Sequence, residues 1–154
     1  ISMETAKSLS ERGFTILDVG GKGGTNFAKI ENKRRTSPIT IFNDWGITTA
    51  ASILEVKSVN KIEIIATGGI MNALHIAKSI GLGAKAVGLA GIILNKLMDN
   101  QVEGTIEFIE NLHHELKLIM TSLGAKNLDE LKEKPLVILG DLREWCLARG
   151  LSIR

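Results

Sequence analysis

Three glycine-bearing stretches hold most of the chemistry that this sequence offers: "DVGGKGGTNFAKIEN" from Asp18 to Asn32, the Gly68-Gly69 pair, and Ala90-Gly91. Glycine gives up backbone order, so a cluster is expected where φ must be positive or where something approaches closely. Each stretch follows a short apolar segment and precedes a helical pattern. In α/β folds, ligands bind at that carboxyl end of the strands. In "ATGGIMNA" the strand is expected to run through Gly68-Gly69 directly into a helix from Met71. Backbone N–H groups at such a helix start, strengthened by the helix dipole, make an anion site. The Ala90-Gly91 turn belongs to the next unit, and the two turns together form a phosphate cup. A bulky side chain at Gly68 is then expected to block the phosphate. The plain alternative is that these glycines only permit tight turns.

Glu31 follows the glycine-rich loop and can reach over the strand ends as a proton-transferring carboxylate, although the sequence shows it no partner. Other candidates fall away on geometry. His113 and His114 are adjacent on a helix, about 100° apart, and cannot serve one metal, so no metal site is assigned. His75 sits on the polar side of its helix. The run Lys33-Arg34-Arg35 either grips a polyanion or keeps a loop in water, the second being the usual meaning of a charge run. Trp45 either lines a pocket or caps a core. Cys146, within "EWCLA" of a terminal helix, reads as a buried structural thiol.

The elements that position these residues follow from periodicity. Met3, Ala6 and Leu9 predict an amphipathic helix stopped by Gly13. "FTILDV" (Phe14 to Val19), "IEIIAT" (Ile62 to Thr67) and "AKAVGLA" (Ala84 to Ala90) predict three strands. Helices are expected from about Thr48 to Lys57 and from Met71 to about Ile80, the latter with Leu74, Ala77 and Ile80 inward. From Val102 onward, apolar residues at Ile106, Ile109, Leu112, Leu116, Ile119 and Leu123 predict a long amphipathic helix. Short helical pieces around Pro135 complete the chain. Strands alternating with helices predict an α/β fold with parallel pairing, either a doubly wound sheet or a barrel. A whole eight-fold barrel needs about 250 residues, so, if the fold is a barrel, three or four units in 154 residues would be part of one.

Composition narrows the partners. With 19 basic and 17 acidic residues, a net charge of +2 and 44% hydrophobic residues, the chain has no one-sided basic field. Nucleic acid is not an expected partner. No apolar run reaches the roughly 20 residues of a membrane span, and no membrane association is expected. A single cysteine cannot form an internal disulfide and fits a reducing, cytoplasmic setting. The opening "ISMETAKSLSERG" lacks both an initiating methionine and a signal-peptide core, as expected of a piece of a longer chain.

"GGTNFAKIEN" (Gly23 to Asn32), "WGITTA" (Trp45 to Ala50), "ATGGIMNALHIAKSIGLGAKAVGLAG" (Ala66 to Gly91) and the tail from "GAKNLDEL" to "PLVILG" together resemble the type 2 isopentenyl diphosphate isomerases, which are flavoproteins. The resemblance runs over essentially the whole chain. It implies the C-terminal part of an FMN-binding (β/α)8 barrel, about its last three to four β/α units plus a helical tail. Residues 1–154 would be one portion of a single domain whose N-terminal half is absent from this chain. The implied reaction interconverts isopentenyl and dimethylallyl diphosphate with reduced FMN and Mg²⁺, NADPH serving as reductant. Thr25 and Phe27 are then implied beside the flavin, and Gly68, Gly69, Ile70, Ala90 and Gly91 around its phosphate. Glu31 matches a carboxylate implicated in proton transfer. Three positions depart from the family pattern: Gly20 stands where a polar residue is common, Met71 where arginine is frequent, and Thr48 where proline is frequent. The metal-binding glutamate, the flavin-facing lysine and the diphosphate-gripping Arg-Lys would all precede this chain, so these residues alone are expected to be inactive. A homo-oligomer is implied as well. The competing readings are another FMN- or phosphate-binding barrel oxidoreductase, which needs a His or Cys at a strand end, and a noncatalytic half-barrel assembly fragment.

Overall fold

The computed structural model describes residues 1–152. Helix α1, Met3–Glu11, starts where the Ser2 hydroxyl accepts from the Thr5 N–H at 3.4 Å. Three strands follow at intervals: β1 Ile16–Asp18, β2 Glu63–Ala66 and β3 Ala86–Val87. They lie parallel in the order β1-β2-β3, with Leu17 opposite Ile64 and Ile65 opposite Ala86. Each strand is shorter than its apolar run, because pairing stops where the chain bends toward its turn. Ladder-like bonds still extend beyond the ends, as in Val19 N–H to Ile65 O at 3.0 Å.

Alternation assigns the two faces. Leu17, Val19, Ile64 and Ala66 are buried beneath helix α3, Thr49–Lys57, in a core with Ile53, Val56, Leu82 and Cys146. Each of the leucines, isoleucines and valines among them contributes about 1.5–3 kcal/mol when fully buried. The opposite face, with Ile16 at 54% exposure beside Asp18 and Glu63, is bare in this chain. A parallel sheet is ordinarily covered on both faces, so the bare one is the face that a closed barrel would turn inward.

Helix α3 is buried on every side from Ala51 to Val56, which brings Glu55 inside at 0% exposure. Its carboxylate is fully partnered. Oε1 accepts from Trp145 Nε1 and Arg149 Nε, both at 2.8 Å, and Oε2 accepts from the Met3 N–H at 2.8 Å and Arg149 Nη2 at 3.1 Å. Burial pushes this carboxyl up, but the bonds from Arg149, Met3 and Trp145 outweigh it and hold the group below the ordinary glutamate value. Helices α1, α3 and α7 (Gly140–Arg149) are thereby tied at one buried charge.

Helix α4 runs Ala73–Leu82, capped by Asn72, whose side chain accepts from the His75 N–H at 2.9 Å. The cap sets the phase, so Ala73, Ala77 and Ile80 face inward and Leu74 is 49% exposed, one position away from the expected stripe. Helix α5, Gly91–Ser122, is two arms joined at Gln101, whose φ of 57° breaks the helical run. Its second arm packs Leu112, Leu116 and Ile119 inward while Ile106, Ile109 and Leu123 stay in solvent, so the long stripe is only partly covered. Helix α6, Leu128–Lys132, seals a smaller core of Ala77, Ile80, Ala125 and Leu131. Helix α2, Phe27–Asn32, was not marked by periodicity; the Asn26 side chain starts it by accepting from the Lys29 N–H at 2.8 Å. No helix among the described residues is long and apolar enough to cross a membrane. Cys146 is buried with its thiol pushed up first by burial and then by the Glu55 charge, as befits an inert packing residue.

Candidate functional site

The loop after β1 and the turn after β2 interlock. The Gly21 N–H donates to Thr67 O at 3.0 Å, and the Thr49 hydroxyl donates to Gly68 O at 2.6 Å. A Cβ on Gly68 would stand 2.3 Å from Gly21 O, one on Gly21 2.3 Å from Thr49 Cα, and one on Gly24 2.8 Å from Gly68 Cα. Gly68 and Gly69 also hold φ of 103° and 74°, a region that side chains disfavour. These glycines make room for one another, and only at second hand for a ligand.

Two expectations change here. The strand does not run through Gly68-Gly69 into a helix at Met71: α4 begins at Ala73, and the Asn72 side chain already takes one of its first N–H groups. Of the two helix starts beside these turns, the one without a side-chain cap is that of α5, where Ala90 provides no acceptor. The anion-binding dipole argument therefore applies to the Ala90-Gly91 turn.

Between these turns lies a cleft of about 720 Å³, on the carboxyl side of the strands. Its walls include all seven expected cofactor residues: Thr25, Phe27, Gly68, Gly69, Ile70, Ala90 and Gly91. Among the described residues, no protein acceptor meets the backbone N–H groups of Gly69, Ile70 or Gly91. A Cβ on Gly91 would meet nothing within 4 Å. The cleft thus presents unpartnered donors and open space, the requirements of an anion held by backbone. Among the described residues, no lysine, arginine or histidine lines it.

Glu31 does not line this cleft. It lies on α2 four residues after Phe27, hence on the same helix face one turn on, exposed, with Arg34 Nη1 at 3.9 Å. Phe27 itself is 78% exposed at the cleft wall. Trp45 does not cap the core: it is 77% exposed, edge-on to Phe42 at 6.2 Å, and lines an adjoining cleft of about 820 Å³ with Thr25 and Phe27. Lys33, Arg34 and Arg35 are exposed, as are His75, His113 and His114. Among the described residues, no group of three metal-binding side chains forms.

Asp18 and Thr67 also line the cleft, and neither was singled out from sequence. The signal was present in the strand period: Leu17 and Val19 point to the core, so Asp18 between them must point the other way.

Residues 2–138 match the model of the FMN-dependent dehydrogenases. The chain belongs to the FMN-dependent dehydrogenase family. It is 54% identical over 155 residues to an isopentenyl-diphosphate delta-isomerase of Geobacillus sp. (strain WCH70), covering 100% of this chain and 44% of that protein. It is 49% identical over 153 residues to the isopentenyl-diphosphate delta-isomerase of Bacillus licheniformis, covering 99% of this chain and again 44% of the relative. The chain therefore spans less than half the length of the curated relatives it matches. Among solved structures, a lactate oxidase of Pediococcus acidilactici superposes with a TM-score of 0.68 at 21% identity, over 90% of this chain and 35% of that one. A GMP reductase of Trypanosoma brucei does so with a TM-score of 0.62 at 24% identity, over 86% of this chain and 30% of that one. At such identities the likeness concerns the fold alone. The fold is α/β, three successive β/α units forming part of a (β/α)8 barrel with a helical tail.

Proposed function

We propose that this chain is the C-terminal portion of an FMN-binding barrel that interconverts isopentenyl and dimethylallyl diphosphate, and that the remainder of the barrel is needed for activity. One observation carries the reading: residues from three separate turns converge on a single cleft in which, among the described residues, the Gly69, Ile70 and Gly91 N–H groups have no protein acceptor. The 54% identity to a named isomerase selects this reaction within the flavin family.

The Gly69, Ile70 and Gly91 N–H groups would hold the FMN phosphate, with the α5 dipole adding to the attraction. Thr25 and Phe27 would border the ring, Phe27 screening it from water. Reduced FMN, when bound, supplies acid-base chemistry with no net redox change. Glu31 would hold and deliver a proton at its carboxylate, reaching the substrate from the same face of α2 as Phe27. Among the described residues no three metal-binding side chains cluster, so we assign the Mg²⁺ ligands, like those of the substrate diphosphate, to the rest of the barrel. We further place the protein in the cytoplasm as a homo-oligomer with NADPH as reductant, in keeping with its free, buried thiol.

A hydride-transferring oxidoreductase of the same family is the competing reading. It needs a histidine or cysteine beside the flavin, and neither lines the cleft. The deciding experiment combines this chain with the N-terminal part of a relative, adds FMN and reductant, and follows allylic isomer formation. Isomer exchange establishes the proposal; absence of FMN binding by the combined protein overturns it, and binding with substrate oxidation assigns the chain to the competing class.

A further inference from the structure

Among the described residues, Asp18 is the only ionisable side chain lining the cleft, whose other walls are backbone donors, glycines, apolar groups and the neutral side chains of Thr25, Thr67 and Asn95. A carboxylate repels phosphate, so it marks the stretch of the cleft where the anion does not lie. Its own geometry is fixed on one side. Oδ1 accepts from the Thr67 hydroxyl and from the Gly20 N–H at 3.1 Å, joining the carboxyl ends of β1 and β2. Oδ2 has no donor among the described protein groups, and the strand period aims the side chain at the bare face of the sheet. An ionised carboxylate only accepts hydrogen bonds. What it selects in a ligand is therefore a donor, separated from the phosphate by the distance between a strand end and a helix start.

FMN carries such donors on its ribityl chain, between phosphate and ring. We propose that Asp18 is a cofactor-positioning residue whose Oδ2 accepts a hydrogen bond from a ribityl hydroxyl. This assignment rests on the flavin reading above. It orders the cofactor along the cleft: phosphate at Gly69, Ile70 and Gly91, polyol over the ends of β1 and β2, ring toward Thr25 and Phe27. Thr67 acts through Asp18, holding the carboxylate so that Oδ2 faces the ligand. Gly20 serves the same end from the backbone, which explains why no polar side chain is needed at that position.

The test uses the complete barrel, this chain joined to or combined with its N-terminal part, and reads flavin affinity by fluorescence quenching. The probes are FMN and its three ribityl deoxy analogues, lacking the 2′, 3′ or 4′ hydroxyl in turn. Asp18→Ala is expected to weaken FMN binding about 10- to 100-fold, the scale of a hydrogen bond to a charged group. One deoxy analogue should bind the unsubstituted protein correspondingly worse than FMN, yet bind Asp18→Ala no worse than FMN does. That coincidence is the signature of a direct contact, because a merely structural role for Asp18 weakens all four ligands alike. Asp18→Asn keeps an acceptor for Thr67 and Gly20, and is expected to melt like the parent while losing FMN affinity about three- to tenfold. Penalties that simply multiply for all three analogues, or Asp18→Asn binding FMN like the parent, overturn the assignment. Failure of the unsubstituted protein to bind FMN at all refutes the flavin reading itself, and is seen before any variant is made.

Discussion

Gly68 and Gly91 both line the cleft, and the structure separates them sharply as sites for substitution. At Gly68 an added Cβ would lie 2.3 Å from Gly21 O, 2.9 Å from Gly21 N and 3.0 Å from Thr49 Oγ1, with φ at 103°. The strained backbone alone costs about 1–3 kcal/mol. Relieving the contact forces the two turns apart and breaks the Gly21-to-Thr67 and Thr49-to-Gly68 bonds, each about 0.5–1.5 kcal/mol. Gly68→Ala is thus expected to lose roughly 3–5 kcal/mol, a large part of an ordinary domain's 5–15 kcal/mol. At Gly91 the added atom meets nothing and φ is not positive, so Gly91→Val leaves the fold intact and places its bulk at the wall of the cleft. The assay measures thermal unfolding and FMN quenching in the complete barrel. Gly68→Ala should melt roughly 10 °C lower, whereas Gly91→Val should melt like the parent and lose FMN affinity tenfold or more. Gly68→Ala melting like the parent refutes the interlocking of the turns. Gly91→Val retaining FMN refutes the phosphate cup. A substitution at Gly68 is accordingly no test of phosphate approach, contrary to what the sequence suggests.

Glu55→Gln removes the buried charge that the partly exposed Arg149 guanidinium meets, leaving it Glu4 alone, and should destabilise by about 1–3 kcal/mol in urea unfolding. The Glu55 carboxyl is held below its ordinary value, and the Arg149 hydrogen bond takes Glu4 down to about 2. For depressed carboxyls, the stabilisation is present above the unfolded pKa and vanishes as pH falls through the folded one. Urea midpoints should therefore drop between about pH 5 and pH 2 in the parent, and less in Glu55→Gln; equal slopes would refute the network. Glu31→Gln should bind FMN within about twofold of the parent while isomer exchange falls about 10²- to 10⁴-fold, the usual range for a general acid or base; undiminished turnover removes Glu31 from the proton path. Cys146, at 0% exposure, should resist alkylation until the protein unfolds, and rapid labelling of the folded chain would contradict its packing.

Much of this architecture is legible in local sequence. The apolar runs locate all three strands, and the helix patterns find α1, α3, α4 and α5. Caps move their boundaries: Asn72 starts α4 two residues later than apolar spacing suggests and rotates Leu74 into solvent. The short helix α2 escaped because six residues starting from an Asn cap carry too little periodicity to register. The seven residues that the family resemblance names for the cofactor, Thr25, Phe27, Gly68, Gly69, Ile70, Ala90 and Gly91, line one cleft, whereas Glu31 of the same motif lies outside it.

What sequence alone determined was therefore the type of element at each position and the glycine content of its turns, since both depend on neighbours a few residues apart. Tertiary structure decided what those glycines do. Gly21, Gly24 and Gly68 approach within contact distances because β1 and β2 pair in a register that stacks their carboxyl-end turns. The same register aims Asp18 and Thr67 at each other. Spacing along the chain carries no record of such meetings, for they follow from hydrogen-bond pairing between segments far apart in sequence.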